Sequence, residues 1–283
     1  MTVRIDLHTH STFSDGTQSP AGVVGSAAHA GLDVLALTDH DTTAGWEEAG
    51  VAAIHHGIAL VRGIEISCQH EGVSIHLLGY LQDPDEPALL AELDHSRQTR
   101  ESRAQRIVER LSADVPLSWD DVLEQIGAGA TIGRPHIADA LVARGIAESR
   151  DLAFATYLGH RSPYYVSHYA PDPVRAVTLV GQAGGVAVMA HPFASSRGRV
   201  VDDTVIEAMA EAGMAGLEVH HRDHSGDQVR HGLDLASSLE LFVTGSSDYH
   251  GAGKRNRLGE NTTQPGVLAL IEELATGTRV LRP

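Results

Sequence analysis

Seven short apolar segments alternate with Ala-rich helical patterns along most of this chain. Such alternation predicts a parallel α/β fold, in which helices connect and cover the strands of one sheet. The segments are rich in Val, Leu and Ile and are bounded by Gly or polar turns, which is typical of strands that are buried on both faces. They lie at residues 3–7, 34–37, 60–66, 74–80, 186–189, 216–219 and 241–244.

Helical patterns fill most of the intervals between these strands, at residues 20–30, 44–57, 172–183, 203–212 and 228–239. Ser19 is the expected N-cap of the first helix, and Gly31 is its expected C-terminal stop. The alternation breaks between residues 83 and 171, where helical patterns at 88–111, 118–126, 134–144 and 151–158 follow one another. We therefore predict an α/β unit in two parts, 1–87 and 171–283, with a mostly helical insertion over 88–170 that forms a cap over the substrate.

Side chains that bind metal ions are concentrated at the carboxyl ends of the predicted strands, where parallel barrels assemble their active sites. The chain contains 18 His, and His is the commonest metal ligand. His8 and His10 are two residues apart, so their side chains point the same way on an extended chain, and Asp248 and His250 repeat this spacing. The other residues of this kind are Asp15, His40, Glu65, His76 and His191, and the sixth strand contributes none.

A buried cluster of this composition predicts a metal site. Bringing so many polar groups together in the interior would be very costly without a compensating cation. Imidazole and carboxylate ligands without a thiol suit Zn, Mn or Fe.

The charge balance disfavours several classes of partner. Acidic residues outnumber basic ones, 37 against 21, which gives a net charge of −16. Such a surface should repel polyanions, so a protein that coats DNA or binds a membrane surface is not expected. The single Cys68 fits a reducing cytosol, and Met1 is not followed by a charged and then apolar leader. We expect a cytoplasmic protein.

The motifs resemble those of the PHP (polymerase and histidinol phosphatase) superfamily. The matching residues are Asp-Leu-His8-Thr-His10-Ser, Asp15-Gly, Thr-Asp39-His40-Asp, Glu65, His76, Ala-His191-Pro and Ser-Asp248-Tyr-His250, in order along the chain. The insertion, with its Gly-Arg134-Pro-His136 motif, is most similar to the bacterial branch of 3′,5′-nucleoside bisphosphate phosphatases and 5′-exoribonucleases. The resemblance implies a distorted (β/α)7 TIM-like barrel that holds two or three divalent metal ions.

The resemblance also implies how the ligands are divided among the ions. The three implied sets are His8, His10, Glu65 and Asp248; then Glu65, His76 and His191; and finally Asp15, His40 and His250. Some members of the superfamily have His at the position of Asp15, so the identity of the ions need not be the same across the family.

Closely spaced divalent ions bind a phosphoryl group between them and convert a bound water to hydroxide near neutral pH. Glu65, shared by two ions, would hold them at the separation that this reaction needs, and it forms the predicted catalytic group together with His191 and Asp248. Asp39 would point away from His40 on a continuing strand, so we expect it to support a ligand or to cap a helix rather than to bind metal. Because His191 precedes Pro192, we expect its backbone to be extended.

Basic side chains of the insertion are the expected substrate-binding residues. Arg97, Arg100, Arg103 and Arg106 recur at every third position of one helix, so at least two guanidiniums could converge on one phosphate. On spacing alone, a solvated face paired with Glu101 and Glu109 is an equal alternative. The resemblance favours the first interpretation, because Arg100, Arg103, Arg134 and His136 match positions that the nucleotidase branch uses for a second phosphate.

Other candidates for substrate contact lie outside that set. His221 and His224 follow the sixth strand and could contact the substrate or protonate the leaving group, although an exposed loop is the alternative location for them. Tyr164 and Tyr165 could stack on a base, but adjacent Tyr residues also pack against hydrophobic cores.

The predicted function is a metal-dependent phosphomonoesterase that removes the 3′-phosphate of 3′,5′-nucleoside bisphosphates. Attack on the 5′ ends of short oligoribonucleotides is a related activity of the same pocket. The alternatives are a phosphatase for histidinol phosphate or another small phosphomonoester, and a non-catalytic metal-binding accessory domain, which the complete ligand set disfavours. The expected partners are therefore a small nucleotide or a short RNA end.

Overall fold

The computed structural model describes residues 3–127 and 129–283, and its seven strands form a nearly closed barrel in chain order. The strands are β1 (Ile5–Asp6), β2 (Val34–Leu37), β3 (Ala59–His70), β4 (Val73–Tyr80), β5 (Val186–Met189), β6 (Gly216–His220) and β7 (Phe242–Gly245). An isolated parallel bridge between Thr9 and Tyr249 connects the segments that follow β1 and β7. The expected α/β class and the distorted TIM-like barrel are confirmed.

The expectation that all strands are parallel is wrong for β4, which runs antiparallel to both β3 and β5. Glu71 and Gly72 connect β3 to β4 with φ values of +47° and +77°, as in a two-residue hairpin turn. A parallel partner would have needed a crossover of about a dozen residues, and the few residues between the predicted third and fourth strands could not supply one. Because of this reversal, His76 lies within β4 and pairs with Ser67 of β3.

Ten α-helices accompany the strands in the described parts of the chain. They are α1 (Pro20–His29), α2 (Trp46–His56), α3 (Pro87–Leu111), α4 (Trp119–Leu123), α5 (Arg134–Ala143), α6 (Arg150–Ala153), α7 (Pro173–Gln182), α8 (Asp203–Glu211), α9 (Gly226–Ser238) and α10 (Pro265–Leu274). Ser19 caps α1 by accepting a hydrogen bond from the backbone N–H of Gly22, as predicted. Helix α10 was not predicted from the sequence.

The helices between β4 and α7 have a hydrophobic core of their own. Helix α3 contributes Ile107 and Leu111 to it, and α5 contributes Ile137 and Leu141. A π-helical segment over Phe154–Leu158 continues α6 and adds the buried Leu158. This helical unit therefore holds its own shape while α3 extends along one side of the barrel.

The barrel core explains the apolar character of the strands. Alternate residues such as Ile5 and Leu7 belong to one buried cluster that also contains Ile271 of α10. Leu35 and Leu37 point to the other face of β2 and pack with residues of α1 and α2. No helix among the described residues is both long and apolar enough to cross a membrane.

Candidate metal centre

Glu65 is the hub of the polar cluster at the carboxyl end of the barrel. Its side chain is 1% exposed, and five imidazoles approach its two oxygens. Oε2 lies 3.2 Å from His8 Nε2, 3.0 Å from His10 Nε2 and 3.2 Å from His40 Nδ1. Oε1 lies 2.8 Å from His76 Nδ1 and 3.2 Å from His191 Nε2. One carboxylate on β3 thus joins five imidazoles from four other segments of the chain.

The first implied ligand set is brought together with tetrahedral spacing. The Nε2 atoms of His8 and His10 lie 3.1 Å apart. Asp248 Oδ1 lies 3.5 Å from His8 Nε2 and 3.4 Å from His10 Nε2. Ligand atoms placed tetrahedrally at about 2.1 Å from an ion are about 3.4 Å from one another. The four donors, which include Glu65 Oε2, therefore match the size of a four-coordinate metal site.

The second implied set surrounds the other oxygen of Glu65. The rings of His76 and His191 are 5.3 Å apart, and each places one nitrogen near Glu65 Oε1. The extended backbone expected for His191 is wrong, because its φ is +30°. Its backbone N–H donates to Glu218 Oε2 over 3.0 Å, and this bond holds the residue in a left-handed conformation.

The third implied set lies around Asp15, in the loop after β1. Asp15 Oδ1 is 3.1 Å from His250 Nε2 and 3.9 Å from His40 Nε2. His10 stacks on His250 with 4.0 Å between ring centroids, so this set adjoins the first. All nine side chains that the sequence analysis proposed as ligands are thus gathered in one pocket.

The cluster has the properties of a cation site. Asp15 Oδ1, His40 Nδ1, Glu65 Oε2 and His250 Nε2 are buried and form no hydrogen bond, and buried donors and acceptors of this kind normally have a partner. The ligand-type groups contain only imidazole and carboxylate, which suits Zn, Mn or Fe. The residues therefore fit a group of divalent ions.

The pKa values in the cluster reflect competition between burial and charge. Burial and the Arg197 charge lower the pKa of His191 to about 3, and burial with the Lys254 charge lowers the pKa of His250 to about 4. Burial alone would raise the pKa of Glu65, but the surrounding imidazoles hold it well below its usual range. Burial opposes the protonation of His10, yet Asp248 and Glu65 raise its pKa to about 9. The carboxylates thus attract positive charge to this pocket.

Asp39 supports the loop that carries Asp15 instead of joining the ligands. Its Oδ1 accepts hydrogen bonds from the Ser11 backbone N–H and from Ser14 Oγ, both over 2.7 Å. Ser14 Oγ in turn lies 3.3 Å from His10 Nδ1. Of the two roles expected for Asp39, these bonds agree with support of a ligand and not with capping of a helix.

Three charged side chains in this region escaped the sequence analysis. Glu218 of β6 is fully buried and lies 2.9 Å from His8 Nδ1, so the sixth strand does contribute an acidic group. Arg197 and Lys254 approach Asp248 Oδ2 at 2.6 and 3.1 Å. A Glu within the apolar segment Gly216–His220 was the available signal for Glu218. Arg197 ends a short 3-10 helix and Lys254 lies in a loop, and no sequence pattern marks either residue.

The Arg side chains that were expected to bind substrate form a cationic cluster beside the ligands. Arg100 Nε lies 2.7 Å from Asp41 Oδ2, and another of its nitrogens contacts Ser67 Oγ. Burial, followed by the charges of Arg134 and Arg100, lowers the pKa of Arg103 to about 9. Arg103 Nε donates to the Val166 carbonyl over 2.8 Å, and its guanidinium lies 5.4 Å from the Tyr165 ring centroid. Neighbouring guanidiniums that repel one another are suited to bind an anion.

His168 extends this cationic cluster and was not anticipated. Burial and the charges of Arg103, Arg100 and Arg134 lower its pKa to about 3, and its Nε2 is buried without a hydrogen-bond partner. Arg97 pairs with Asp94 and donates to the backbone carbonyl of Asp41, whose carboxylate pairs with Arg100. Arg106 is exposed on the same helix. Only part of the Arg series therefore faces the site.

The three His residues that were expected to contact substrate differ in whether a ring nitrogen is free to do so. His136 is 4% exposed and its Nδ1 accepts the Gly133 backbone N–H, so it caps α5. His221 Nε2 is buried 3.6 Å from Asp248 Oδ2 and is free of hydrogen bonds. His224 is not available to a substrate: Nδ1 donates to the Val219 carbonyl and Nε2 accepts the Phe193 backbone N–H. The predicted substrate contact of His224 is therefore wrong, and its ring instead connects two backbone segments.

Tyr164 and Tyr165 are both engaged within the insertion. Tyr164 donates its hydroxyl to Asp114 over 2.7 Å and lies against the helical core. The Tyr165 ring lies beside Arg103 and is 4.8 Å from the His160 ring. Tyr164 thus packs as the alternative interpretation stated, whereas Tyr165 borders the cationic cluster.

Comparison with known proteins relates this geometry to a family. Residues 6–141 match the model of the PHP domain. The chain is 36% identical over 282 residues to a 3′,5′-nucleoside bisphosphate phosphatase of Chromobacterium violaceum, covering 99% of this chain and 98% of that protein. It is 35% identical over 263 residues to a 5′-3′ exoribonuclease of Haemophilus influenzae, covering 92% and 95%. A solved structure of a proposed metal-dependent phosphoesterase from Bifidobacterium adolescentis superposes with a TM-score of 0.94 at 43% identity, covering 96% of each chain.

Proposed function

Because this chain belongs to the PHP domain family and is a metal-dependent phosphoesterase of that family, we propose that it hydrolyses nucleotides that carry two phosphates. The preferred substrate in this proposal is a 3′,5′-nucleoside bisphosphate, which loses its 3′-phosphate. Water supplies the oxygen that replaces the nucleoside oxygen on phosphorus, and the products are a nucleoside 5′-phosphate and inorganic phosphate. The proposed site also includes His8, His10 and the other ligand-type residues as holders of two or three ions.

One observation carries the choice of substrate: a cationic cluster, contributed largely by the helical insertion, lies beside the ligand cluster. Arg100 bridges the two, because it contacts Asp41, the residue next to His40, while its charge acts on Arg103 and Arg134. A substrate with a single phosphate would use the ligand cluster alone. A second phosphate would bind between guanidiniums that are already close together, and its negative charge would relieve their mutual repulsion.

Divalent ions, when bound, neutralise charge on the phosphoryl group and make water nucleophilic near neutral pH. The protein supplies the rest. Glu65, His191 and Asp248 hold the ligand atoms at fixed separations, and Arg100, Arg103 and Arg134 bind and orient the phosphate that does not react. We propose His221 as the group that gives a proton to the leaving oxygen, because its buried Nε2 lies 3.6 Å from Asp248 Oδ2 and forms no hydrogen bond. The insertion over 88–170 would serve as the cap that excludes water from this pocket.

A second candidate activity is removal of nucleotides from the 5′ end of short oligoribonucleotides. Two relatives support it by their names: the protein of H. influenzae and one of Escherichia coli, which is 32% identical over 248 residues, are both 5′-3′ exoribonucleases. The same guanidiniums would then bind a phosphate of the chain. The expected partners are small nucleotides and short RNA ends, and the expected location is the cytoplasm.

Phosphate release by the Mn-loaded protein tests the proposal. Adenosine 3′,5′-bisphosphate should be cleaved with release of the 3′-phosphate, and Arg100→Ala or Arg134→Ala should raise its KM about tenfold or more. Histidinol phosphate, which has one phosphate, serves as the comparison substrate. Cleavage of histidinol phosphate alone, with turnover unaffected by either Arg substitution, would reject the proposal. Release of mononucleotides from a short RNA would support the second activity.

A further inference from the structure

Glu218 is a buried carboxylate on β6, and both of its oxygens accept hydrogen bonds. Its side chain is completely buried on β6. Oε1 accepts the Nδ1–H of His8 over 2.9 Å, and Oε2 accepts the backbone N–H of His191 over 3.0 Å. A buried carboxylate is costly unless it is fully paired, so these two bonds identify its structural partners.

The bond to His8 decides which nitrogen of that ring can face the other ligands. A carboxylate can only accept a hydrogen bond, so His8 Nδ1 must carry the proton. When that ring is neutral, Nε2 presents its lone pair to the point that Glu65 Oε2 and Asp248 Oδ1 also face. A carboxylate behind a His ligand also increases the basicity of that ligand.

The bond to His191 acts on the second ligand set, and it does so through the backbone of His191 instead of its ring. His191 has a φ of +30°, a conformation that residues with a side chain rarely adopt. Such a conformation is unfavourable for a residue with a side chain and persists only when the surrounding structure supports it. The bond from its backbone N–H to Glu218 supplies that support and directs Nε2 to Glu65 Oε1 at 3.2 Å.

We propose that Glu218 is a positioning residue that orients His8 and His191 together and so links two ion sites to strand β6. This inference rests on the proposed metal cluster but not on the choice of substrate. Glu218 lies on the Nδ1 side of the His8 ring, whereas Glu65 and Asp248 lie on its Nε2 side, and each oxygen of Glu218 already accepts one N–H. Its function is therefore to fix ligands, and substrate does not contact it.

Metal affinity of substituted proteins tests this inference without any assay of hydrolysis. Wild type, Glu218→Gln and Glu218→Ala are stripped with a chelator and titrated with Zn²⁺, with bound metal measured by elemental analysis. Glu218→Ala should weaken zinc binding 10–100-fold. Glu218→Gln, which has one oxygen to accept one of the two N–H groups, should lose less. Glu92→Gln is the matched control, because Glu92 is also buried, at 6% exposed, and its hydrogen bonds go to Tyr169 and Arg175 instead of to a ligand-type residue.

A second readout follows the His8 ring itself. In ¹⁵N-histidine spectra of the zinc-loaded wild type, His8 Nδ1 should carry a slowly exchanging proton, and this signal should disappear in Glu218→Ala. Unchanged affinity and an unchanged His8 signal in Glu218→Ala would overturn the inference. A loss in Glu218→Gln equal to that in Glu218→Ala, with the His8 signal retained in both, would also overturn it, because Glu218 would then be a ligand. If the three proteins bind zinc as expected but wild type hydrolyses no nucleotide, the proposed function is wrong and the inference about Glu218 still holds.

Discussion

Replacing Arg103 by Met should stabilise the ligand-free protein while it weakens binding of a bisphosphate. Arg103 is only 7% exposed, and Arg134 and Arg100 repel its charge. Its pKa is lowered to about 9 in the folded protein. Because the proton is held less tightly in the folded state than in the unfolded state, the charged form costs stability. This cost is complete below about pH 9 and decreases as the pH rises above that value.

The magnitude follows from the structure. A buried charge that is not paired with an opposite charge costs about 3–5 kcal/mol, and the repulsion from Arg134 and Arg100 puts Arg103 near the upper end of this range. Met would lose the bond to the Val166 carbonyl and the contact with the Tyr165 ring, which together are worth about 3 kcal/mol. The net gain of about 2 kcal/mol should raise the melting temperature by about 4 °C.

Thermal unfolding of the metal-loaded protein, with and without adenosine 3′,5′-bisphosphate, measures both effects. The ligand should raise the melting temperature of wild type by several degrees and that of Arg103→Met by less than half as much. Arg106→Met is the control on the same helix, because Arg106 is exposed, and it should change neither value. A lower melting temperature for ligand-free Arg103→Met, or an undiminished response to the ligand, would refute the reasoning.

Three further substitutions separate structural from functional positions. His224→Ala should lower the free energy of unfolding by about 1–3 kcal/mol, because two backbone groups lose their partner, and denaturant titration should show this while KM stays the same. Lys254→Met removes one of two cations from Asp248 Oδ2 and should reduce kcat about tenfold with little change in melting temperature. Asp39→Asn weakens the bonds to Ser11 and Ser14 and should lower metal content measured after dialysis, whereas unchanged content would contradict its supporting position.

Much of this arrangement could be predicted because parallel strands place their carboxyl ends together. The two-residue spacing of His8 and His10 predicted that their side chains share one face. Asp248 and His250 have the same spacing, but Asp248 has a φ of +53° and is not extended. The structure nevertheless places all four side chains in the same pocket. Strand positions followed from short runs of Val, Leu and Ile. The direction of β4 could not be predicted from its composition, because an apolar run is the same in either direction. The short connection through Glu71 and Gly72 was the signal that β4 runs antiparallel to β3.

Hydrogen bonds between residues that are distant in the sequence could not be predicted. Glu218 bonds His8 across 210 positions, and no local pattern relates them. The backbone of His191 departed from the expectation for a residue before proline because Glu218 holds its N–H, which is a tertiary contact. His224 looked like His221 in sequence, yet its ring binds two backbone groups while His221 Nε2 stays free.

The central claim is that Glu65 joins five imidazoles into a site for several divalent ions, and the metal content of wild type and Glu65→Gln tests it most directly. Each protein would be reconstituted with Mn²⁺, desalted, and analysed for bound metal per chain, with circular dichroism to verify folding. Wild type should retain two or three ions and folded Glu65→Gln at most one. Equal metal content in the two proteins, or no metal in either, would contradict the account.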